Sequence, residues 1–373
     1  MTPQRSRAPG LRAGLALVAM LAIATPFLAH ERATRRSAAL RTYTPPPLRP
    51  RLAWTRLRDA ELGDIEDFTR IGDRLYLLDR QLRQIVVLRP DSGGWRGERT
   101  FGRPGDGPGE LRRPAAITAL PAGAGIAILE VDGRVTRFSP LGTVLGVDRW
   151  SMPCVAFEPA LAFGPGHRRF LAANCHPTGG ADRDTIHARL FTSSNAGASF
   201  HEIARAPRMA TDLSWGTTFS TEHLLSDSED SLLFSTGLDG CAVTLRKTPH
   251  SSPLAAPARC TLADTRFSAP PPAAFAAERR KARRRGGPRA APAFDWPDTL
   301  PAFLGAASAA DTTWLVRPVS GDTVVVVPAG GFHERTIGLV APLDGFVACT
   351  RGTCLWIDHE RSRIAVFAPP HLP

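Results

Sequence analysis

Short apolar runs separated by polar turns dominate the chain beyond residue 40, and the 3.6-residue periodicity of helices is almost absent there. Residues 74–90, RLYLLDRQLRQIVVLRP, contain two β-rich runs on either side of a polar turn, which is the pattern of a β-hairpin. Residues 354–370, CLWIDHERSRIAVFAPP, repeat this hairpin nearly position for position, and Asp79 aligns with Asp358. The pattern therefore predicts an all-β chain built from a repeated hairpin.

The hairpin pattern occurs six times along the chain. The four further copies lie at residues 125–142, 169–191, 232–246 and 313–327. Units spaced by roughly 40 to 80 residues are typical of propeller blades that carry loop insertions. We therefore predict a six-bladed β-propeller of four-stranded antiparallel blades, which occupies residues 52–370.

The first and last units differ in their number of strands. Four strands can be assigned in the first unit, at residues 65–71, 74–79, 83–88 and 97–102, whereas the last unit has room for three. An unpaired outer edge would invite aggregation. The β-like segment LAWTRLRDAEL, residues 52–62, precedes the first unit and is expected to supply the missing strand and close the ring.

The N-terminus has the composition of an export signal. Arginines precede a long apolar run at residues 13–29, whose length lies between that of a signal-peptide core and that of a short membrane span. Residues 1–30 are therefore predicted to be a cleaved signal peptide or a retained membrane anchor, and residues 31–51 a Pro/Arg-rich linker. We expect an exported protein, periplasmic or extracellular, with membrane contact through the apolar run if it is retained. Because arginines also follow the run, an inverted span with a cytoplasmic tail is the alternative.

The formal net charge of +11 is concentrated in two segments. Residues 1–51 contain nine arginines and one acid, and residues 279–289 contain seven bases and no acid, so the rest of the chain is slightly acidic. This distribution argues against a nucleic-acid partner. The second segment belongs to a Pro/Ala/Arg-rich stretch at about 265–300, which is predicted to be an insertion between the fourth and fifth units. It would serve either as a basic patch for an anionic partner or as a solvated surface loop.

The cysteines are consistent with an oxidising compartment. In VACTRGTCLW, residues 347–356, a two-residue turn at Arg351 and Gly352 would bring Cys349 opposite Cys354 in the closer kind of cross-strand pair. That geometry allows a disulfide, and two buried free thiols are the alternative. Three local bridges are the simplest pairing of the six residues, which are Cys154, Cys175, Cys241, Cys260, Cys349 and Cys354. Because no CxxC and no zinc-finger spacing occur, we expect no metal site here.

Residues 101–142 begin with a Gly-rich stretch, which is followed by Pro114 and an inner strand. Two aliphatic strands joined by a turn come next, and the second of them ends at Phe138. This order resembles the NHL repeat, although Glu130 stands where the repeat has Asp. The resemblance implies a fold like that of the exported six-bladed NHL-like propellers of bacteria.

Residues 193–200, SSNAGASF, are similar to the Asp-box turn of sialidase-type propellers. Asn195 replaces the Asp of that motif, Ser199 the Thr and Phe200 the Trp. Since the motif is structural in that family, the resemblance implies that Phe200 packs between sheets. It does not imply sialidase activity, which would need an arginine triad that the sequence does not identify.

The glycine-rich stretch FGRPGDGPGEL, residues 101–111, looks at first like a phosphate cradle. A dinucleotide fingerprint needs a following helix and a P-loop needs Gly-Lys-Ser/Thr, but here a strand at 115–120 follows. We therefore interpret the stretch as a connector that runs from the outer strand of one blade to the inner strand of the next. Arg103 and Asp106 are expected to be exposed on it.

The sequence identifies no catalytic or metal-binding residues and no cofactor. There is no GxSxG nucleophile elbow, and the ten histidines are scattered singly. Asp79 and Asp358 are interpreted as turn-forming residues, and Trp314 and Trp356 as packing between blades. Candidates for the mouth of a central channel are Glu61, Asp64, Glu66, Asp67, His176 and His359.

The prediction for function is a monomeric binding or scaffold module whose ligand, a protein, a peptide or a glycan, the sequence does not identify. The alternative is a metal-dependent hydrolase or lyase with ligands from several blades converging on the channel. Enzymatic activity is the less favoured of the two, because a carboxylate on a loop is more often simply solvated. The fold alone does not choose among the possible ligands.

Overall fold

The computed structural model describes fourteen segments, all within the compact unit Tyr43–Pro373. They are residues 53–152, 154–163, 169–176, 187–193, 200–205, 222–225, 231–236, 241–246, 305–309, 312–318, 323–328, 339–342, 345–350 and 352–368. The predicted signal or anchor segment, the linker and the basic insertion lie outside these residues.

The regular secondary structure of the described residues consists of β-strands and one 3-10 turn at Pro121–Gly123, so the all-β prediction is confirmed for them. The strands of the N-terminal half are β1 (Thr55–Arg58), β2 (Ile65–Ile71), β3 (Arg74–Asp79), β4 (Gln84–Asp91), β5 (Gly94–Phe101), β6 (Pro114–Ala119), β7 (Ile126–Glu130), β8 (Arg134–Phe138), β9 (Val144–Arg149), β10 (Val155–Phe163), β11 (Arg169–His176), β12 (His187–Ser193) and β13 (His201–Arg205). Those of the C-terminal half are β14 (Glu222–Leu225), β15 (Ser231–Thr236), β16 (Cys241–Arg246), β17 (Gly305–Ala309), β18 (Thr312–Pro318), β19 (Thr323–Pro328), β20 (Leu339–Pro342), β21 (Phe346–Thr350), β22 (Thr353–Asp358) and β23 (Arg363–Phe367).

Consecutive strands pair antiparallel in groups. Three groups are separate four-stranded sheets, β6–β9, β10–β13 and β17–β20, and a fourth, β14–β16, has three strands within the described residues. The remaining strands form one eight-stranded sheet in the order β2-β3-β4-β5-β1-β23-β22-β21. Each of the six hairpins predicted from the repeat is present as two adjacent strands.

The first strands of successive groups lie next to one another. β2 contacts β6, β6 contacts β10, β10 contacts β14, β14 contacts β17, and β17 contacts β21, which in turn contacts β2. Each of these strands is at the edge of its antiparallel group. Sheets that meet in sequence along their first strands have a propeller-like arrangement.

Strand β1 joins the first and last groups. It pairs antiparallel with β23, where Thr55 lies opposite Ile364, so the expected pairing of residues 52–62 with the last unit is confirmed. The Thr55 hydroxyl donates to the Ile364 carbonyl over 3.0 Å, and the Leu57 N–H donates to the Ser362 carbonyl over 2.9 Å. β1 also pairs in parallel with β5, where Leu57 lies opposite Trp95, and the sequence did not predict this second contact.

Both faces of the sheets are buried against neighbouring sheets. On β3, Leu75 and Leu77 belong to a core cluster that includes Leu355 of β22, whereas Tyr76 and Leu78 pack with a different cluster that includes Ile128 of β7. Side chains alternate between the two faces of a strand. A strand buried on both faces therefore shows a continuous apolar run, as RLYLLD does.

Aromatic packing between groups follows the sequence prediction. Trp314 of β18 and Trp356 of β22 lie in one core cluster, and each exposes about 1% or less of its surface. Phe200 packs on Trp150 with the two ring centroids 5.2 Å apart. Both observations confirm the packing roles predicted for Trp314, Trp356 and Phe200.

The predicted disulfide between Cys349 and Cys354 is present. Thr350 lies opposite Thr353 and Cys349 opposite Cys354, with a Cα–Cα distance of 4.1 Å, as the two-residue turn required. Cys154 is also disulfide-bonded. The pairings proposed for Cys175, Cys241 and Cys260 involve side chains outside the described part of the chain and stay predictions.

The acidic residue at the end of the second strand of a group holds nearby backbone. Asp79 is fully buried and accepts hydrogen bonds from the Gly63 N–H at 2.7 Å and the Leu82 N–H at 2.8 Å. Asp358 accepts one from the Arg361 N–H at 3.1 Å. The turn-forming interpretation of both residues is confirmed.

Glu130 occupies the equivalent position in the second group. Its Oε2 accepts the N–H groups of Arg112 at 2.8 Å and Arg113 at 3.0 Å, which belong to the connector before β6. Like Asp79 at Gly63, Glu130 therefore holds the connector that enters its group, and the two bonds fix where β6 begins.

Gly97→Ala tests the contact between β1 and β5. A methyl group on Gly97 would lie 2.0 Å from the Asp59 carbonyl oxygen, so the segment after β1 must move. We expect the free energy of unfolding to fall by about 1–3 kcal/mol, measured by urea denaturation. Gly93→Ala is the control, because the nearest atom there would be the Arg58 Nη2 at 3.5 Å. Equal effects from the two substitutions would contradict close packing at Gly97.

Asp79→Asn tests the buried turn carboxylate. An amide supplies one acceptor oxygen, so the N–H of Gly63 or of Leu82 would face an NH₂ group and lose its partner. We expect a loss of about 1–3 kcal/mol in the free energy of unfolding. Asp358→Asn should cost less, since that side chain is partly exposed and water can replace the lost bond. A smaller effect at position 79 than at position 358 would show that burial does not decide the cost.

Candidate functional site

The strongest concentration of sequence-predicted candidates lies at one end of the sheets. Ile65, at the start of β2, lies opposite Asp79, at the end of β3. The connector at residues 59–64 and the β3–β4 turn at residues 80–83 therefore lie at the same end of the first group. We call this end of the sheets the connector face. It contains the connectors that lead into the first strands and the turns between the second and third strands.

In the first group, three charged side chains form ion pairs on the connector face. The Arg80 guanidinium contacts the Asp64 carboxylate at 2.6 Å and the Glu66 carboxylate at 3.1 Å. The Arg80 N–H also donates to the Asp64 carbonyl at 2.8 Å. Asp64 and Arg80 are about half exposed, so this cluster presents both signs of charge to solvent at a fixed position.

Glu66 and Asp67 differ from the ordinary surface carboxylates of this face. The β2–β3 register shifts between Ile65 and Asp67, so β2 contains a bulge at Glu66. A bulge re-aims the side chains beside it. Loss of solvent around Glu66 raises its pKa above the usual value, and the repulsion from Asp64 adds to this, although the Arg80 charge opposes it.

The Asp67 carboxylate bridges two neighbouring groups. Its Oδ1 accepts the Phe68 N–H at 2.8 Å, and its Oδ2 accepts the Ile117 N–H of β6 at 2.9 Å. Burial raises the pKa of Asp67 to about 7, although the two backbone bonds favour the ionised form. The nearby Glu66 charge raises the pKa further.

In the second group, the connector face consists of residues 102–113 and the turn at 131–133. The Asp132 carboxylate contacts Arg112 at 2.5 Å and Arg149 at 3.3 Å. Arg112 also contacts Asp106 at 3.4 Å. These charged side chains are therefore held in ion pairs, as Asp64, Glu66 and Arg80 are in the first group.

The glycine-rich connector has the role that the sequence predicted. Phe101 ends β5 and Pro114 begins β6, so the stretch links an outer strand to the next inner strand and no helix follows it. Glu110 Oε2 accepts the Gly107 N–H at 2.7 Å, and this bond together with the Arg103 ion pair lowers the Glu110 pKa.

Glycine is required at one bend of the connector. Gly105 has a φ of +150°, and a methyl group there would lie 2.1 Å from the Glu110 Oε2. Arg103 and Asp106 are exposed, as expected, and both are engaged in ion pairs, with Glu110 and Arg112 respectively.

The structure brings some of the predicted channel-mouth candidates together and separates others. Glu61 and Asp64 lie on the connector that leads to β2, and Glu66 and Asp67 lie on β2 itself. His359 lies in the β22–β23 turn, in the last group. His176 ends β11, and its side chain is outside the described part. Within the described residues, no group of three or more His, Cys, Asp or Glu side chains could hold a metal ion.

Sequence reasoning missed one residue and one contact of this site. Arg80 follows the repeat's aspartate and had no motif of its own, and the Asp67 contact reaches Ile117, fifty residues further along the chain. The three acids of D-I-E-D, residues 64–67, and the position of Arg80 one residue after β3 were the available signals. Neither indicates that one carboxylate would bridge two sheets.

Exposed apolar side chains are concentrated on one outer strand. Among the described residues, the large hydrophobic side chains with high exposure are Leu141, Leu145 and Val147, on β9 and the turn before it. β9 is the outermost strand of its sheet. In the described ranges, no helix is long and apolar enough to cross a membrane.

Comparison with known proteins gives structural neighbours of low sequence identity. No family model matches the chain, and no curated protein matches it significantly. A Bacteroides fragilis protein provisionally described as exported shares 13% identity over 85% of this chain and 75% of its own, with a TM-score of 0.42. A streptogramin B lyase shares 12% identity over 83% of this chain and 84% of its own, with a TM-score of 0.37.

A third neighbour is a domain named as a β-propeller. The Cps50 (Swd1) β-propeller domain of Myceliophteria thermophila shares 12% identity over 87% of this chain and 100% of its own, with a TM-score of 0.41. Identities of this size with TM-scores below 0.5 assign neither a family nor an activity to this chain.

Proposed function

We propose that the chain is an exported six-bladed propeller of the NHL-like type that binds a protein, peptide or glycan through its connector face. The six-bladed interpretation is supported by the cycle of contacts among the first strands β2, β6, β10, β14, β17 and β21. It is also supported by the NHL-like order of residues 101–142.

The binding proposal rests on the ion pairs that hold exposed charged side chains in place on the connector face. The Asp64–Glu66–Arg80 and Asp106–Arg112–Asp132 clusters hold exposed charged groups in fixed ion pairs on loops between sheets buried on both faces. Rigid scaffolds that position charged loops at one end are suited to recognition. Because both signs of charge are present, the face suits a partner with mixed polar groups rather than a polyanion.

Export is supported by the disulfide chemistry and by the N-terminal sequence. Cys349–Cys354 and the bonded Cys154 fit an oxidising compartment. We propose that the N-terminal apolar run directs the chain there, as a cleaved signal or as an anchor, and that the propeller works as a monomer.

The second candidate is a hydrolase or lyase with a site near the first strands. The observation in its favour is that Asp67 has a pKa near neutrality, which suits a general acid or base. Against it, both Asp67 oxygens already accept backbone N–H groups, from Phe68 and Ile117, so the carboxylate is held by the fold. Binding is therefore the better-supported function.

Charge reversal on the connector face tests the binding proposal. The double variant Arg80→Glu/Arg112→Glu is compared with Arg74→Glu, which reverses a similarly exposed, ion-paired arginine at the start of β3, at the opposite end of the first group. The probes are a displayed random-peptide library and a glycan array. We expect peptides or glycans selected by the unaltered chain to bind the double variant at least about tenfold more weakly, since unpaired acids replace each cluster's central base. Unchanged binding, or equal loss in Arg74→Glu, contradicts the assignment.

Metal content tests the second candidate. A metal-dependent enzyme would carry about one metal per chain after purification and would hydrolyse ester or lactone probes until treated with EDTA. We expect neither metal nor EDTA-sensitive turnover from the purified full chain, measured by elemental mass spectrometry and by probe hydrolysis. Stoichiometric metal together with loss of turnover in Asp67→Asn would favour the enzyme.

A further inference from the structure

Carboxylates that contact two arginines recur among the described residues. These clusters are Glu98 with Arg74 and Arg99, Asp132 with Arg112 and Arg149, Asp358 with Arg361 and Arg363, and Asp148 with Arg137 and Arg169. In the first three clusters, both arginines donate hydrogen bonds to the carboxylate. In the fourth, which we call the Asp148 cluster, the two arginines make ion-pair contacts with the carboxylate but no hydrogen bond to it.

Both contacts in the Asp148 cluster converge on one oxygen atom. The Arg137 Nε lies 3.3 Å from the Asp148 Oδ2, and the Arg169 Nη2 lies 3.6 Å from the same oxygen. The Nε–H of Arg137 is buried and has no hydrogen-bond partner. The carboxylate therefore offsets part of the positive charge without giving either arginine a hydrogen bond.

The backbone holds the members of this cluster on two neighbouring groups. Asp148 lies on β9, opposite Val135, and Arg137 lies on β8. Arg169 begins β11 in the third group. An aspartate has a single methylene between its backbone and its carboxylate, so its position on β9 largely fixes where its oxygens lie. Asp148 is therefore placed between the two arginines but does not reach hydrogen-bonding geometry with either.

Arg169 is the most deeply buried member of the cluster. Its side chain exposes only 7% of its surface, and its guanidinium lies over the Trp150 ring at 5.0 Å from the ring centroid. A guanidinium carries five N–H donors, and the cation–π contact supplies no acceptor for them. Among the described residues, the Arg169 guanidinium has no hydrogen-bond acceptor. Buried donors without acceptors are normally explained by a bound water or ion.

The charge of the cluster favours an anion over a water molecule. Two guanidinium groups face one carboxylate, so the cluster has an excess of positive charge. A water molecule would accept a hydrogen bond but leave that excess in place, whereas an anion would supply acceptors and also balance the charge. The side chains of Arg137 and Asp148 are partly exposed, so a small ion can approach from solvent.

We propose that the Asp148 cluster is a binding site for a tetrahedral oxyanion, sulfate or phosphate, held between the guanidinium groups of Arg137 and Arg169. A free oxyanion is not tied to a strand, and its four oxygens point in different directions. It can therefore place one oxygen within hydrogen-bonding distance of each guanidinium. The bound ion would connect the second and third groups through β8 and β11. This site is independent of whether the connector face binds a partner.

Equilibrium dialysis of the full chain against radiolabelled sulfate, and separately against radiolabelled phosphate, tests the donor role of Arg137. Other arginines of this basic chain can bind anions weakly and remain in every variant, so the change between variants is what is compared. We expect Arg137→Gln to raise the dissociation constant by at least about tenfold, because one charged donor is lost. Arg99→Gln is the matched control, since it also removes a partly exposed arginine from a cluster with two arginines. It should change the constant by less than about twofold.

Asp148→Asn tests the opposite direction. Removing the negative charge beside the anion should lower the dissociation constant by about tenfold. A cluster with a purely structural role predicts no such gain. Glu98→Gln is the control, because it changes the net charge equally in a cluster whose arginines are more exposed than Arg169. Its effect should stay below about twofold.

The two pairs of variants make the outcome decisive. Weaker binding in Arg137→Gln together with tighter binding in Asp148→Asn supports the site, and the anion that binds more tightly to the unaltered chain is its ligand. Unchanged binding in Arg137→Gln, no gain in Asp148→Asn, or equal changes in the two controls would each overturn the proposal. Circular dichroism checks that each variant is folded, and if Arg137→Gln is not, the comparison of Asp148→Asn with Glu98→Gln decides alone.

Discussion

Unpaired strand edges are the constraint on which this structure depends. Each antiparallel group has an outer and an inner edge whose backbone N–H and carbonyl groups need partners. At the outer edge, β1 satisfies two groups at once, because it pairs with β23 of the last group and with β5 of the first. At the inner edge, Asp67 accepts N–H groups from β2 and β6. Strand β1 and the Asp67 carboxylate thus both supply hydrogen-bond partners to strand edges, at opposite edges of the sheets.

Burial of both sheet faces makes these edge contacts stiff. The alternating side chains of β3 enter two different core clusters, one shared with the last group and one with the second group. A change in side-chain packing at one sheet face therefore shifts the neighbouring sheet, since packed cores deform little. The connector face is positioned by this packing, and its ion pairs lie on loops whose ends are fixed by buried acids such as Asp79 and Glu130.

The carboxylates of this face divide into three physical classes. Asp79 and Glu130 are buried and hold backbone amides, so they build the loops. Asp64 and Asp132 are paired with arginines and partly exposed, which makes them available to a partner. Asp67 belongs to neither class, because it holds backbone amides while its pKa is raised to about 7. Acidic side chains on this face thus either hold backbone amides or carry exposed charge in ion pairs, according to their surroundings.

The sequence by itself determined the local structure of this protein. The hairpins, the cross-strand position of Cys349 and Cys354 and the turn role of Asp79 follow from apolar alternation and turn residues, which act over a few positions. The pairing of the 52–62 segment with the last unit followed instead from the strand that this unit lacked at its outer edge. Only the tertiary structure decided that β1 also pairs with β5 and that Asp67 reaches Ile117. These contacts depend on how separate sheets lie against each other, and side-chain periodicity within one strand does not encode that arrangement.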